Sequence, residues 1–108
     1  MKLGTWLVAV LALAALPALG SAQAAQHPSY KREVSASLLR RAKISEDSAL
    51  KIAIARVPGA RAQAVELENE HGRLIWSWDL KIEGKAGIEE VNVDALDGHI
   101  VVVEHEKN

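Results

Sequence analysis

The amino-acid sequence predicts an α+β fold: one amphipathic helix packed on a four-stranded antiparallel β-meander, preceded by a signal peptide and a flexible leader. Three observations predict it. Apolar residues recur with a helical period over Leu50–Val57, they recur with a period of two from Val65 onward, and short turn sequences separate the alternating runs. At 108 residues the chain holds one domain, and a core this small relies on packing or on a partner. We divide it into a signal peptide (1–24), a flexible leader (25–41) and a folded domain (42–108).

Met1 and Lys2 make a short positive start, Leu3 to Leu16 is almost wholly apolar, and Pro17 breaks the run. Ala22-Gln23-Ala24 then places small residues where a signal peptidase reads them, so cleavage is expected after Ala24. The apolar stretch falls short of the ~20 residues that span a bilayer. We therefore expect a periplasmic or secreted protein without stable membrane insertion after cleavage. Gln26 to Arg41 is rich in charge and carries Pro28, with only a brief apolar patch at Leu38-Leu39, which reads as a leader that turns helical toward its end.

Ser45 is a suitable N-cap, and Glu46 and Asp47 suit the positive end of a helix dipole. Leu50, Ala53, Ile54 and Val57 follow at i, i+3, i+4 and i+7, and Pro58-Gly59 ends the helix. Lys51 and Arg56 lie off that stripe and face water.

Val65 and Leu67 then alternate with Glu66 and Glu68, and Asn69-Glu70-His71-Gly72 reads as a hairpin turn. Leu74, Trp76, Trp78, Leu80 and Ile82 make the clearest strand. Gly84 to Gly87 turns the chain, Val91 and Val93 alternate again, Asp94 to Gly98 forms a third turn, and Ile100 to Val103 is a continuous β-branched run. Short connections favour an antiparallel meander with the Trp76 and Trp78 face under the helix. On the other face Ile75, with Val101 and Val103 or with Val102 according to register, is expected to leave an apolar surface for a partner or for self-association.

Residues Ile44-Ser45-Glu46-Asp47-Ser48-Ala49 open a helix and Val57-Pro58-Gly59 closes it. Gly72-Arg73-Leu74-Ile75-Trp76 begins a strand, and Val93-Asp94-Ala95-Leu96-Asp97-Gly98-His99-Ile100-Val101 lies near the end. In this order and spacing the segment from about Ala42 to Asn108 resembles the PepSY domain, found in propeptides of secreted metallopeptidases and in the spore-germination protein YpeB. The resemblance implies a helix on an antiparallel sheet, extracytoplasmic location and a role in restraining or modulating peptidase activity. It brings no catalytic residues with it.

The net charge of -1 gives no basic footprint for nucleic acid. Charge is nevertheless segregated: Lys31 to Arg61 holds eight Lys or Arg against three acids, and Ala62 to Asn108 holds four against eleven. The absence of cysteine excludes disulfides, thiol nucleophiles and thiolate metal sites. Of the four histidines, His27, His71, His99 and His105, only His71 and His99 are expected at one end of the sheet. No metal site is expected: the histidines read as surface residues without a metal role, His71 and His99 would be the candidates if there were one, and two imidazoles make only part of a zinc site. Asp94 and Asp97 read as turn-closing side chains, with Gly98 free to take positive φ. Ser77 and Asp79 sit within an alternating strand with no nucleophile elbow around them, and Glu66/Glu68 and Glu89/Glu90 read as solvated acids. No phosphate loop or HExxH motif is present, and no cofactor is expected.

The expected function is a non-catalytic binding module for an envelope or secreted protein, a peptidase among the partner classes. It would act by strand addition or through Ile75, Val101 and Val103. The alternative is a small-ligand or metal-binding sensor or carrier of the periplasm, and a homodimer is a further reading.

Overall fold

The structure, a computed structural model, describes residues 29–107; the expected signal peptide, its cleavage site and His27 lie outside them. Its elements are β1 (Lys31–Glu33), α1 (Ala36–Leu39), α2 (Glu46–Arg56), β2 (Ala60–Glu70), β3 (Arg73–Ile82), β4 (Ile88–Asp94) and β5 (Ile100–Glu106). The strands form one five-stranded sheet in the order β1-β2-β3-β4-β5. From β2 to β5 every pairing is antiparallel, as the short turns require, with α2 lying across one face.

The leader is where expectation and structure part. Residues Lys31–Glu33 add a fifth strand, parallel to β2, with Lys31 opposite Ala64 and Glu33 opposite Glu66. A short helix, α1, follows, capped by the Ser35 side chain. All three β1 residues are exposed, so no apolar alternation marks the strand in the sequence. Tertiary contacts hold it instead. The Tyr30 ring stands edge-on to Trp78 with centroids 5.3 Å apart, and the Tyr30 hydroxyl donates to Glu46 Oε2 at 2.7 Å.

Helix α2 starts where its cap dictates: Ser45 Oγ accepts from the Ser48 N–H at 3.1 Å, with Glu46 and Asp47 in the first turn. It ends at Val57, before Pro58. The packed stripe runs through Ala49, Ala53 and Val57, while Leu50 and Ile54 sit half-buried on its flank. That is a small rotation from the expected stripe. Small residues stand where the helix comes nearest the sheet because two fully buried indoles, Trp76 and Trp78, occupy the space beneath.

Register explains how the core closes. Trp76 pairs with Leu67 and Val93, and Trp78 with Val65 and Val91, so these side chains share the face under α2. The Trp76 Nε1–H donates to the Ile44 carbonyl at 2.9 Å. The Lys43 and Ile44 N–H groups both donate to the Ala95 carbonyl, and the Ala95 N–H donates to Leu74. The entry to α2, strand β3 and the β4–β5 turn are thereby joined. His71 and Gly72, both at positive φ, form the two-residue β2–β3 turn. No helix among the described residues is long and apolar enough to cross a membrane.

Candidate functional site

Two regions lie outside the helix-covered core: the turn between β4 and β5, and the open face of the sheet with its β5 edge.

In the turn, Asp94 is buried and its Oδ1 accepts from the Leu96 and Asp97 N–H groups at 2.7 and 3.2 Å. Asp97 Oδ1 accepts from the His99 N–H at 3.0 Å and lies 2.6 Å from His99 Nδ1. Hydrogen bonding from the His99 backbone, then from its ring, holds the Asp97 carboxyl below the usual carboxylate range. Asp94, Asp97 and His99 are close enough to share an ion. A cation already occupies that place, because Arg73 Nη1 lies 3.3 Å from Asp94 Oδ2 and 3.0 Å from His99 Nε2. The turn reads as a self-contained structural unit, as the Asp and Gly spacing predicts. His71 sits in the β2–β3 turn and is not among the residues gathered around His99. His71 lies at the same end of the sheet as His99, whose ring is engaged by Arg73 and Asp97. His105, toward the far end of β5, contacts Glu89 instead.

The expected apolar surface is not assembled either. Ile75 projects from the open face but is only 1% exposed, flanked in register by Glu68 on β2 and Asp94 on β4. Ile75 sits on the central strand β3 with a strand on each side, and the side chains beside it leave almost none of it in water. Val103 pairs with Val91 and packs on the helix-side core. Between them the register slips, with Asn92 opposite Val102 and Val93 opposite Ile100, so Val101 is the extra residue of a β-bulge and is 36% exposed. The bulge reverses the simple alternation along β5 and separates the three residues.

What the open face presents is acid. An open cleft of about 370 Å³ is lined by Lys31, Glu66, Ser77, Asp79, Glu90 and Glu106, among others. Ser77 Oγ donates to Glu90 Oε2 at 3.1 Å, and no histidine is among the partners of Ser77. Glu66 and Glu68 share this face, whereas Glu89 and Glu90 point to opposite faces. Burial, then the Glu106 carboxyl, push Glu90 up. Burial followed by acidic neighbours does the same to Asp79 and Glu68. The face thus carries more acceptors than donors.

The two sheet edges differ. On one side β1, with Lys31, Arg32 and Glu33, covers part of β2 with charge. On the other, β5 has no strand beyond it among the described residues. Its first half is Ile100-Val101-Val102-Val103, and Leu96 beside it is 49% exposed. The alternation in the sequence locates β5, but only the strand order makes it an edge.

A family model described as "Peptidase propeptide and YPEB domain", PepSY, matches residues 43–104. The matched span begins just before α2, so β1 and α1 precede it. No curated protein and no solved structure gives a significant match.

Proposed function

The chain belongs to the PepSY family, and from that premise we propose that it is an exported, non-catalytic module that docks on an envelope or secreted protein and modulates it. A peptidase is the partner class that the family description favours. Export rests on the signal-peptide pattern of residues 1–24 and on the company that PepSY domains keep.

The observation that carries the reading is the unpaired β5 edge. Its backbone N–H and C=O groups face outward beside an apolar run, and such an edge accepts a partner strand by main-chain hydrogen bonding. The charged strand β1 guards the opposite edge, and Glu104, His105 and Glu106 guard the second half of β5. Ile100 to Val103, with exposed Val101 and Leu96, remains for a partner.

In-cell photocrosslinking from Val101, with a matched probe at exposed Lys51 on α2, tests the reading. A specific envelope or secreted protein captured from Val101 alone, and lost on Leu96→Lys, supports it. Self-crosslinks alone would turn the assignment to a homodimer, and equal capture from both probes would sink it. Val101→Lys should shift stability by no more than about 0.5 kcal/mol, because the side chain is at the surface.

A further inference from the structure

Strand β1 lies on the β2 edge as an extended peptide lies in a groove. Its residues alternate: Lys31 and Glu33 line the cleft of the open face, while Tyr30, Arg32 and Val34 turn to the helix side. Each of these three meets its own receiving group. The Tyr30 ring stands edge-on to the buried Trp78, and its hydroxyl donates to Glu46 Oε2 at 2.7 Å. Arg32 spans the same carboxylate, Nη2 donating to Oε1 at 2.7 Å and Nε to Oε2 at 2.9 Å. Val34 packs against the core. The backbone between them runs parallel to β2, from Lys31 opposite Ala64 to Glu33 opposite Glu66.

The groove belongs to the family domain and its occupant does not. Glu46, Trp78 and residues 64–66 of β2 fall within the matched span of 43–104, whereas residues 30–34 precede it. The occupant is also lightly held. Strand β1 has three residues, all of them exposed, and its ion pair is at the surface, with the Arg32 side chain 40% exposed. Short edge segments of this kind open long before the core does. Opening leaves β2 with an unpaired edge, Glu46 without its cation and Trp78 without its ring partner. Such an edge takes an extended segment, whose main chain supplies affinity and whose alternate side chains supply specificity.

We propose that the β2 edge, with Glu46 and Trp78, is a second docking site. It takes an extended segment of a partner protein that runs parallel to β2 and carries an aromatic, a basic and an aliphatic residue at alternate positions. Residues 30–34 are its internal occupant, and the partner segment must displace them. The seated strand shows the chemistry required: an aromatic ring against Trp78, a guanidinium on Glu46 and an aliphatic side chain in the place of Val34. Arginine suits the middle position better than lysine, because its planar fork reaches both carboxylate oxygens. The tethered leader competes at an effective concentration on the order of millimolar. A partner's apparent affinity is therefore reduced to the fraction of chains whose groove is open. The site lies on the opposite edge of the sheet from β5 and does not depend on docking there.

A fluorophore-labelled synthetic peptide of residues 29–35, titrated by anisotropy into the full purified chain, tests the site. Tyr30→Ala with Arg32→Ala opens the groove, and Arg32→Ala alone serves as a milder second variant. Circular dichroism and parental hydrogen exchange in β3 and β4 establish that each remains folded. The opened chain should bind the peptide about tenfold or more tightly than the parent does. Adding Glu46→Gln to the opened chain, or Arg32→Ala to the peptide, should remove most of that binding, while Lys51→Ala on the far side of α2 should leave it unchanged. Hydrogen exchange should show new protection at residues 64–66 and none along β5. Equal binding by parent and opened chains would overturn the proposal, as would no binding by either variant at millimolar peptide, or protection at β5 instead of β2. A parent dimer that dissociates on Arg32→Ala would mean that two copies exchange leaders, and would also overturn it.

Discussion

Arg32 lays its guanidinium on Glu46, with Nη2 2.7 Å from Oε1 and Nε 2.9 Å from Oε2. This pair ties a strand that precedes the PepSY span to the first turn of the helix within it. Burial alone would raise the Glu46 carboxyl, but the Arg32 and Tyr30 hydrogen bonds outweigh it and hold the group below its ordinary value. Burial, then the bond to Glu46, pushes the Tyr30 phenol up.

Glu46→Gln should therefore loosen β1. The Arg32 side chain is 40% exposed, so the expected cost is modest, about 1 kcal/mol. Hydrogen exchange should accelerate at Lys31–Glu33 and leave β3 and β4 unchanged. Equal acceleration throughout the sheet would show that the pair supports the whole fold and not one strand.

Trp76 offers a sharper test of the core. The indole is fully buried and donates to the Ile44 carbonyl. Trp76→Phe leaves that acceptor unpaired and should cost about 1–3 kcal/mol in denaturant unfolding. Trp76→Ala should cost roughly 3–5 kcal/mol, enough to unfold a marginal domain.

Gly98 has φ of +85°, and a Cβ there would stand 3.3 Å from Ile52 Cδ1. Gly98→Ala should destabilise by about 1–2 kcal/mol through backbone strain, with further cost if Ile52 cannot yield. A thermal midpoint equal to that of the parent chain would contradict the turn geometry.

Stability should change with pH in two opposed phases. Glu68, Asp79 and Glu90 take up protons more readily in the folded chain than in the unfolded one. Their protonation favours the fold, a gain complete below the unfolded carboxylate value and lost as pH rises through the raised one. Glu46 behaves oppositely: its contribution is present above the unfolded value and lost as pH falls through the depressed one. The urea midpoint followed by Trp fluorescence should rise as pH falls from neutrality toward the ordinary carboxylate range, and fall again below that range. A monotonic fall over this range would mean that the acidic face carries no strain.

Much of the fold is legible from the residues. Ser45 with Glu46 and Asp47 marks the start of α2, Pro58 its end, and the period of two through Leu74–Ile82 marks the strand that carries both buried tryptophans. The Asp94 to Gly98 turn follows from its own side chains. The candidate sites were less legible. Ile75 has the composition of a contact residue but lies under its neighbours, and the bulge at Val101 cancels the alternation that would place Val101 and Val103 together. Tyr30, Arg32 and Val34 alternate within a charged leader, and only the β1–β2 pairing sets them in one groove.

The sequence by itself determined the helix, the meander from β2 to β5 and the family, because caps, turn residues and apolar period act over a few neighbouring residues. Only the tertiary structure decided that Lys31–Glu33 is a strand, that Tyr30 and Arg32 meet on Glu46, and that β5 is the open edge. Each of these depends on pairings between residues distant along the chain, and an exposed or polar side chain records no trace of them in its local pattern.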